Sequence, residues 1–193
     1  MKVTKAQAQA NRAHIVETAS ALFRERGYDG VGVADLMGAA GFTHGGFYKH
    51  FASKTDLIAE SSTCGLAQSA DAAAGHSLAD FLDYYLSREH RDNPGQGCTM
   101  AALCADAARQ PDSVKAAFAA GIDAQLSRPA TDAAQPNEST SAEARARRIS
   151  LMAMAVGAVV LSRSCPDDAP LADEILDACR ADALARLTDA SNT

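Results

Sequence analysis

Residues 41–57, GFTHGGFYKHFASKTDL, crowd hydroxyl, imidazole, phenol and ammonium groups into one short stretch of a 193-residue chain. Thr43, His44, Tyr48, Lys49, His50 and Lys54 carry the donors and acceptors that meet phosphate oxygens and base edges. Phe47 and Phe51, spaced i and i+4, fall together on the inward side of a helix. Gly45 and Gly46 would sit in its first turn, where each destabilises a helix by about 1 kcal/mol relative to Ala. What they offer instead is a bare backbone whose N–H groups can approach a phosphate or a base closely. The chemistry implied is recognition of a nucleic acid rather than bond making.

The flanking pattern supplies elements to position these groups. Val33, Leu36, Met37 and Ala40 make a short helical face that closes at Gly41. Gly41-Phe42-Thr43 is a tight turn, and Thr43 is the expected N-cap of a helix from His44 to Phe51. Helix, three-residue turn and second helix are the parts of a helix-turn-helix, whose second helix enters the major groove. Upstream, Ile15, Ala19, Leu22 and Phe23 share one face of a helix predicted from about Asn11 to a stop at Gly27. Downstream, Ser53-Lys54-Thr55-Asp56 is a capping box opening a helix through Leu57 and Ile58 and past Leu66.

The remainder also reads as helices. Ser77 to Asp80 caps one that carries Phe81, Leu82, Tyr85 and Leu86 and ends before a loop at 91–97. Thr99 to Arg109 and Pro111 to about Leu126 follow. Residues 128–141 lack periodicity and read as a mobile linker. Thr140 and Glu143 are placed to cap a helix running to about Arg163, and Leu171 to Leu187 is the last. Composition agrees, with 43 Ala against 13 Val and Ile and 10 aromatics, which favours helices over pleated surfaces. The fold class expected is all-α.

The match with the TetR/AcrR family of bacterial transcriptional repressors rests on residues 11–60. Leu22-Phe23-Arg24-Glu25-Arg26-Gly27-Tyr28, Asp35-Leu36 with Ala40-Gly41, and Gly45, Tyr48, His50, Phe51, Ser53, Lys54 and Leu57 all resemble the family's pattern at its spacing. The resemblance implies an N-terminal three-helix helix-turn-helix domain, residues 1–58, and a C-terminal domain, 59–193, that binds an effector and dimerises. It implies that Thr43 and Tyr48 reach the phosphate backbone, that His44 to Lys49, including Gly45 and Gly46, face base edges, and that Lys54 holds a phosphate. One departure stands out: the family's Thr-Ser before its second helix is Val31-Gly32 here. His50 is divided between packing and phosphate contact. Lys2, Lys5 and Arg12 read as a solvated arm.

Charge separates the two parts, with seven Lys/Arg against five Asp/Glu up to residue 58 and eleven against nineteen beyond it. The acidic balance argues against a protein that coats DNA without regard to sequence. Ile149 to Leu161 is apolar all round, with Ile149, Met152, Val156 and Val160 on one face and Leu151, Ala155, Ala158 and Leu161 on another. Such a helix needs cover on both sides, and a second copy of the chain, packed in a four-helix bundle with the last helix, is the expected cover. Phe81, Tyr84, Tyr85, Met100, Leu103, Phe118 and Ile122 supply the apolar and aromatic surface for an effector pocket, unless all are core.

Five cysteines without a CxxC pair suggest neither a disulfide framework nor a zinc site, and no cofactor, metal or catalytic residue is expected. Cys98 and Cys104 are the candidates for an alternative, thiol-sensing regulator, with Cys98 favoured by its place at a helix start. A Cys-dependent enzyme is the rival from another class, and no His and Asp or Asn arrangement points at any thiol to support it. Neither a secretory leader nor a membrane span is visible, so a cytoplasmic chain is expected. The working expectation is a homodimeric repressor, released from a palindromic operator in double-stranded DNA by a small-molecule effector.

Overall fold

The computed structural model describes residues 4–72, 75–128 and 142–191, the side chains of 189–191 excepted. Among them there are nine α-helices, two 3-10 helices and no strand, so the chain is all-α as expected. The α-helices are α1 (Lys5–Arg26), α2 (Val33–Ala39), α3 (Lys54–Ala72), α4 (Leu78–Tyr85), α5 (Arg88–Asp92), α6 (Thr99–Ala107), α7 (Asp112–Ser127), α8 (Ala142–Arg163) and α9 (Pro170–Ser191). The 3-10 helices are His44–Lys49 and Pro94–Gln96. Apart from Arg128, the expected linker and the Thr140 cap lie outside the described residues, as does Lys2.

α1 begins well before Asn11. The Thr4 hydroxyl accepts from the Gln7 backbone N–H at 3.1 Å, and Gln7 donates to Asn11 at 2.8 Å. A solvated first turn and a half carries no apolar period, so periodicity placed the start too late. Lys5 therefore opens a helix instead of belonging to an arm. Gly27 closes α1 at φ 71°, with its N–H on the Phe23 carbonyl at 2.8 Å. A side chain there would be strained by φ and would meet the Asp106 carboxylate. Residues 86–97, read as running from a helix end into a loop, instead hold α5 and the second 3-10 helix.

The chain forms two compact units, Met1–Ser69 with Cys98–Ile122, and Ala70–Gly97 with Asp123–Thr193. None of the three breaks, after Ser69, Gly97 and Ile122, falls at the expected 58/59 boundary, which lies inside α3. In the first unit α1 packs on α2 and α6, and Ile15, Phe23, Leu36, Phe47, Leu57 and Leu103 are buried in its core. In the second unit α8 packs along α9, and α4 packs on α9 and α5. Arg91 of α5 is almost wholly buried, its guanidinium on the Ser162 carbonyl and hydroxyl, the Cys165 carbonyl and the carboxylates of Asp92 and Asp167. α8 buries Ala155, Ala158 and Val159 but leaves Ile149, Val160 and Leu161 exposed.

Among the described glycines of the first unit, Gly65 marks the tightest approach between helices. A Cβ there would lie 2.5 Å from the hydroxyls of Ser20 and Thr99 and 2.8 Å from an Arg24 guanidinium nitrogen. Those hydroxyls sit one bond from their own Cβ atoms and have little room to yield. Gly65→Val should therefore destabilise the chain by about 1–3 kcal/mol through overpacking. Gly38, whose Cβ would meet nothing within 4 Å, is the control: Gly38→Ala should stabilise by about 0.4–1 kcal/mol. Urea unfolding followed by circular dichroism measures both, and equal effects at the two positions would contradict this packing.

Candidate nucleic-acid interface

Gly41 is the pivot between α2 and the turn that follows. Its φ of 78° reverses the chain, its N–H bonds the Gly38 carbonyl at 3.0 Å, and the Phe42 N–H bonds the Met37 carbonyl at 2.8 Å. Thr43 is extended and occupies the N-cap position, yet its side chain makes no cap hydrogen bond, so that part of the expectation is corrected. The segment after it is a six-residue 3-10 helix, His44–Lys49, rather than an α-helix to Phe51. Two consecutive glycines weaken the α-helical alternative, and a tighter turn results. One α-type bond remains, from the Phe51 N–H to the Phe47 carbonyl at 3.0 Å, and it keeps both rings inward and buried, 5.5 Å apart.

The outward side carries the expected groups. Thr43, His44, Gly45 and Lys49 are exposed, and Tyr48 is 69% exposed with its ring edge-on to Phe47. Gly46 and His50 are half-buried, and the His50 ring lies beside Phe42 and Phe51, the packed arrangement. A Cβ at Gly45 would meet nothing, and one at Gly46 would make only ordinary contact with Met37. Internal packing thus does not require either glycine. Lys54 is half-buried, and its ammonium donates to the Tyr28 carbonyl at 2.6 Å, which leaves two N–H donors for an outside anion.

Arg12 is half-exposed, and it is paired instead of standing free in solvent. Its Nε donates to the His50 carbonyl at 3.2 Å, its two Nη atoms pair with the Glu60 carboxylate, and its Cζ stands 4.6 Å from the centre of the Phe51 ring. Gly32, at the N-cap of α2, offers no side-chain bond, and Val31 is buried. The hydroxyls that the family has at these two positions have no counterpart here.

The family described as bacterial regulatory proteins, tetR family, matches residues 15–61. Residues 15–61 form a tetR-family domain. Among curated proteins, the chain is 40% identical over 57 residues to the HTH-type transcriptional regulator AcrR of Shigella flexneri, which is 30% of this chain and 26% of AcrR. It is 42% identical over 55 residues to TtgR of Pseudomonas putida, covering 28% and 26% of the two chains. The chain spans about a quarter of the length of the curated relatives it matches. Solved structures cover far more. E. coli NemR in its reduced form gives a TM-score of 0.69 at 22% identity over 90% of this chain and 95% of that one. A TetR-family regulator from Agrobacterium tumefaciens gives 0.68 at 19% identity over 93% and 98%. These show that the fold beyond the tetR-family domain is shared as well.

Outside that domain the expected pocket residues divide. Phe81, Tyr84 and Tyr85 belong to the second unit, where Tyr84 and Tyr85 flank the ring of His90 at 5.8 and 4.4 Å and Phe81 lies 5.4 Å from Tyr85. Met100, Leu103, Phe118 and Ile122 belong to the first, the first three of them buried. His90 escaped the sequence reading. It is buried, its Nδ1 lies 2.7 Å from the Tyr85 carbonyl, and burial lowers its pKa. The signal for it was Gly97, where a Cβ would come within 2.8 Å of the His90 ring.

Cys98 stands at the N-cap of α6 but is buried. Cys104 is half-buried, and burial pushes its thiol up to about 11. A thiol with that value is the neutral, sluggish form across the physiological range, with about one in a thousand ionised at pH 8. Iodoacetamide labelling of Cys104, mapped by mass spectrometry, should therefore be slow at pH 8 and rise about tenfold per pH unit toward pH 11. Rapid labelling at pH 7 would reverse this assignment.

Proposed function

We propose that the chain is a ligand-responsive transcriptional regulator, a homodimeric repressor that occupies a palindromic operator in double-stranded DNA and leaves it when a small molecule binds. One observation carries the reading: Thr43, His44, Tyr48 and Lys49 are exposed on a turn whose Phe47 and Phe51 are buried. Among the described residues nothing accounts for a tyrosine that exposed or for two glycines that packing does not demand. A duplex accounts for both, since the hydroxyl reaches a phosphate and the bare backbone lets the groove approach. In this reading Thr43, Tyr48 and Lys54 take phosphates, and His44, Gly45, Gly46 and Lys49 face bases. His50 serves mainly to pack.

Residues 1–58 are assigned to DNA, and 59–193 to the effector and the partner copy. Phe81, Tyr84 and Tyr85 about His90 offer an aromatic surface for a weakly charged effector, while Met100, Leu103, Phe118 and Ile122 contribute packing in the other unit. The exposed Ile149, Val160 and Leu161 of α8, with Leu171 of α9, support dimerisation through the last two helices. Two recognition turns related by a twofold axis match a palindrome whose half-sites lie one helical turn, about 34 Å, apart. The buried Cys98 and the high value of Cys104 speak against the thiol-sensing alternative. Among the described residues no helix is long and apolar enough to cross a membrane, in keeping with action in the cytoplasm.

Two experiments test this. In mobility-shift titrations on the chain's own upstream DNA, Lys54→Ala should weaken binding to all sequences alike and reduce the slope of log affinity against log salt by about one. His44→Ala and Lys49→Ala should instead change which bases are preferred. Indifference to all three would refute the interface. Separately, Val160→Asp, on the exposed side of α8, should yield a folded monomer by light scattering with unchanged helical circular dichroism. A dimer of native size would place the interface elsewhere.

A further inference from the structure

The 44–49 turn is too short and too rich in glycine to hold its own orientation, and one side chain reaches around it from α1. Arg12 bonds the carbonyl of His50, the C-cap residue of the turn, stacks over Phe51 just beyond it, and grips Glu60 of α3 through both terminal nitrogens. We infer that Arg12 and Glu60 are a positioning pair for DNA recognition: together they fix the angle at which the turn is presented, and Arg12 takes no phosphate itself. This rests on the reading of residues 43–54 as the DNA-facing surface.

Three features carry it. First, the guanidinium is already committed, with Nε on a carbonyl and both Nη atoms on one carboxylate, so the charge it offers a phosphate is cancelled by its own partner. Second, Glu60 lies on the helix that begins directly after the turn, and a carboxylate near an expected polyanion repels it unless neutralised. Third, the contacts join three elements, α1 through Arg12, the end of the turn through His50 and Phe51, and α3 through Glu60, so loss of the fork removes the link among all of them. Lysine has a point charge on a flexible stem and cannot reproduce the three contacts.

The test uses Arg12→Ala, Arg12→Lys and Glu60→Gln in the full chain, with melting by circular dichroism as a control. Each is titrated by fluorescence anisotropy against two duplexes of about 30 base pairs, long enough for two half-sites. One is the consensus that the native chain recovers from a randomised pool, and the other is the same composition scrambled. The expected result is that all three variants lose about tenfold in affinity for the consensus, keep their affinity for the scrambled duplex, and keep the native salt slope. Glu60→Gln is the decisive arm, because removing a negative charge beside DNA raises affinity unless that charge holds Arg12 in place.

Consensus binding by Glu60→Gln at or above the native level overturns the inference. So does a salt slope reduced by about one in Arg12→Ala with native affinity in Arg12→Lys, the signature of a phosphate contact. Losses that track the melting temperature and fall equally on both duplexes mark a purely structural role and overturn it too. Tyr48→Phe and Lys49→Ala separate the two levels of the argument. If these also leave consensus binding untouched, or if the native chain recovers no consensus, the DNA-facing reading itself fails. If they weaken binding while the Arg12 and Glu60 variants do not, the positioning pair alone fails.

Discussion

Burial of two phenylalanines beneath a short glycine-bearing turn is the interaction on which the rest of the first unit depends. Phe47 and Phe51 are each almost wholly removed from solvent, and each contributes about 1.5–3 kcal/mol on that account. Gly45 and Gly46 together cost about 2 kcal/mol in local helix stability, so the aromatic pair outweighs them. The turn is therefore held from below and left open above. That division of labour explains why its outer side chains stand exposed while its inner ones are fully packed.

The second unit solves a different problem, that of pairing two long helices, α8 and α9, whose buried contacts are made largely by alanine. Small side chains let α8 and α9 pack with Ala155, Ala158, Ala172 and Ala183 buried, but they bury little area each. Polar clamps make up the specificity. Arg91 ties α5 to the end of α8, Arg163 returns bonds to the His90 and Arg91 carbonyls, and the Ser162 hydroxyl donates to the Ala172 carbonyl. Buried arginine is tolerable there because nearly every donor meets an oxygen within hydrogen-bond reach.

What could be read from the sequence was whatever is encoded locally. The i, i+4 pairing of Phe47 and Phe51, the stops at Gly27 and Gly41, and the caps at Ser53 and Ser77 all lie within a few residues of their effect, and each holds in the structure. The choice of a 3-10 over an α-helix at 44–49 hinges on a difference of one hydrogen-bond register, which side-chain pattern does not report. Arg12 was misread because its carboxylate partner is 48 residues away, and a cation near a chain start looks solvated without it. His90 was hidden in a stretch whose Asn93, Pro94 and Gly95 signal turns, although the helix before them is real. The pocket residues looked alike by composition, and only the three-dimensional partition separates them into two groups.

Gly65 has a mechanical meaning beyond its steric one. With no side chain at that point, α3 sits directly against Ser20 and Arg24 of α1 and Thr99 of α6, like a shaft seated in a keyway. Rolling α3 about its own axis would drive the neighbouring side chains at Cys64 or Leu66 into the same space. The three helices are thus keyed to one another at this point, and a side chain at residue 65 would have to push α1 or α6 aside.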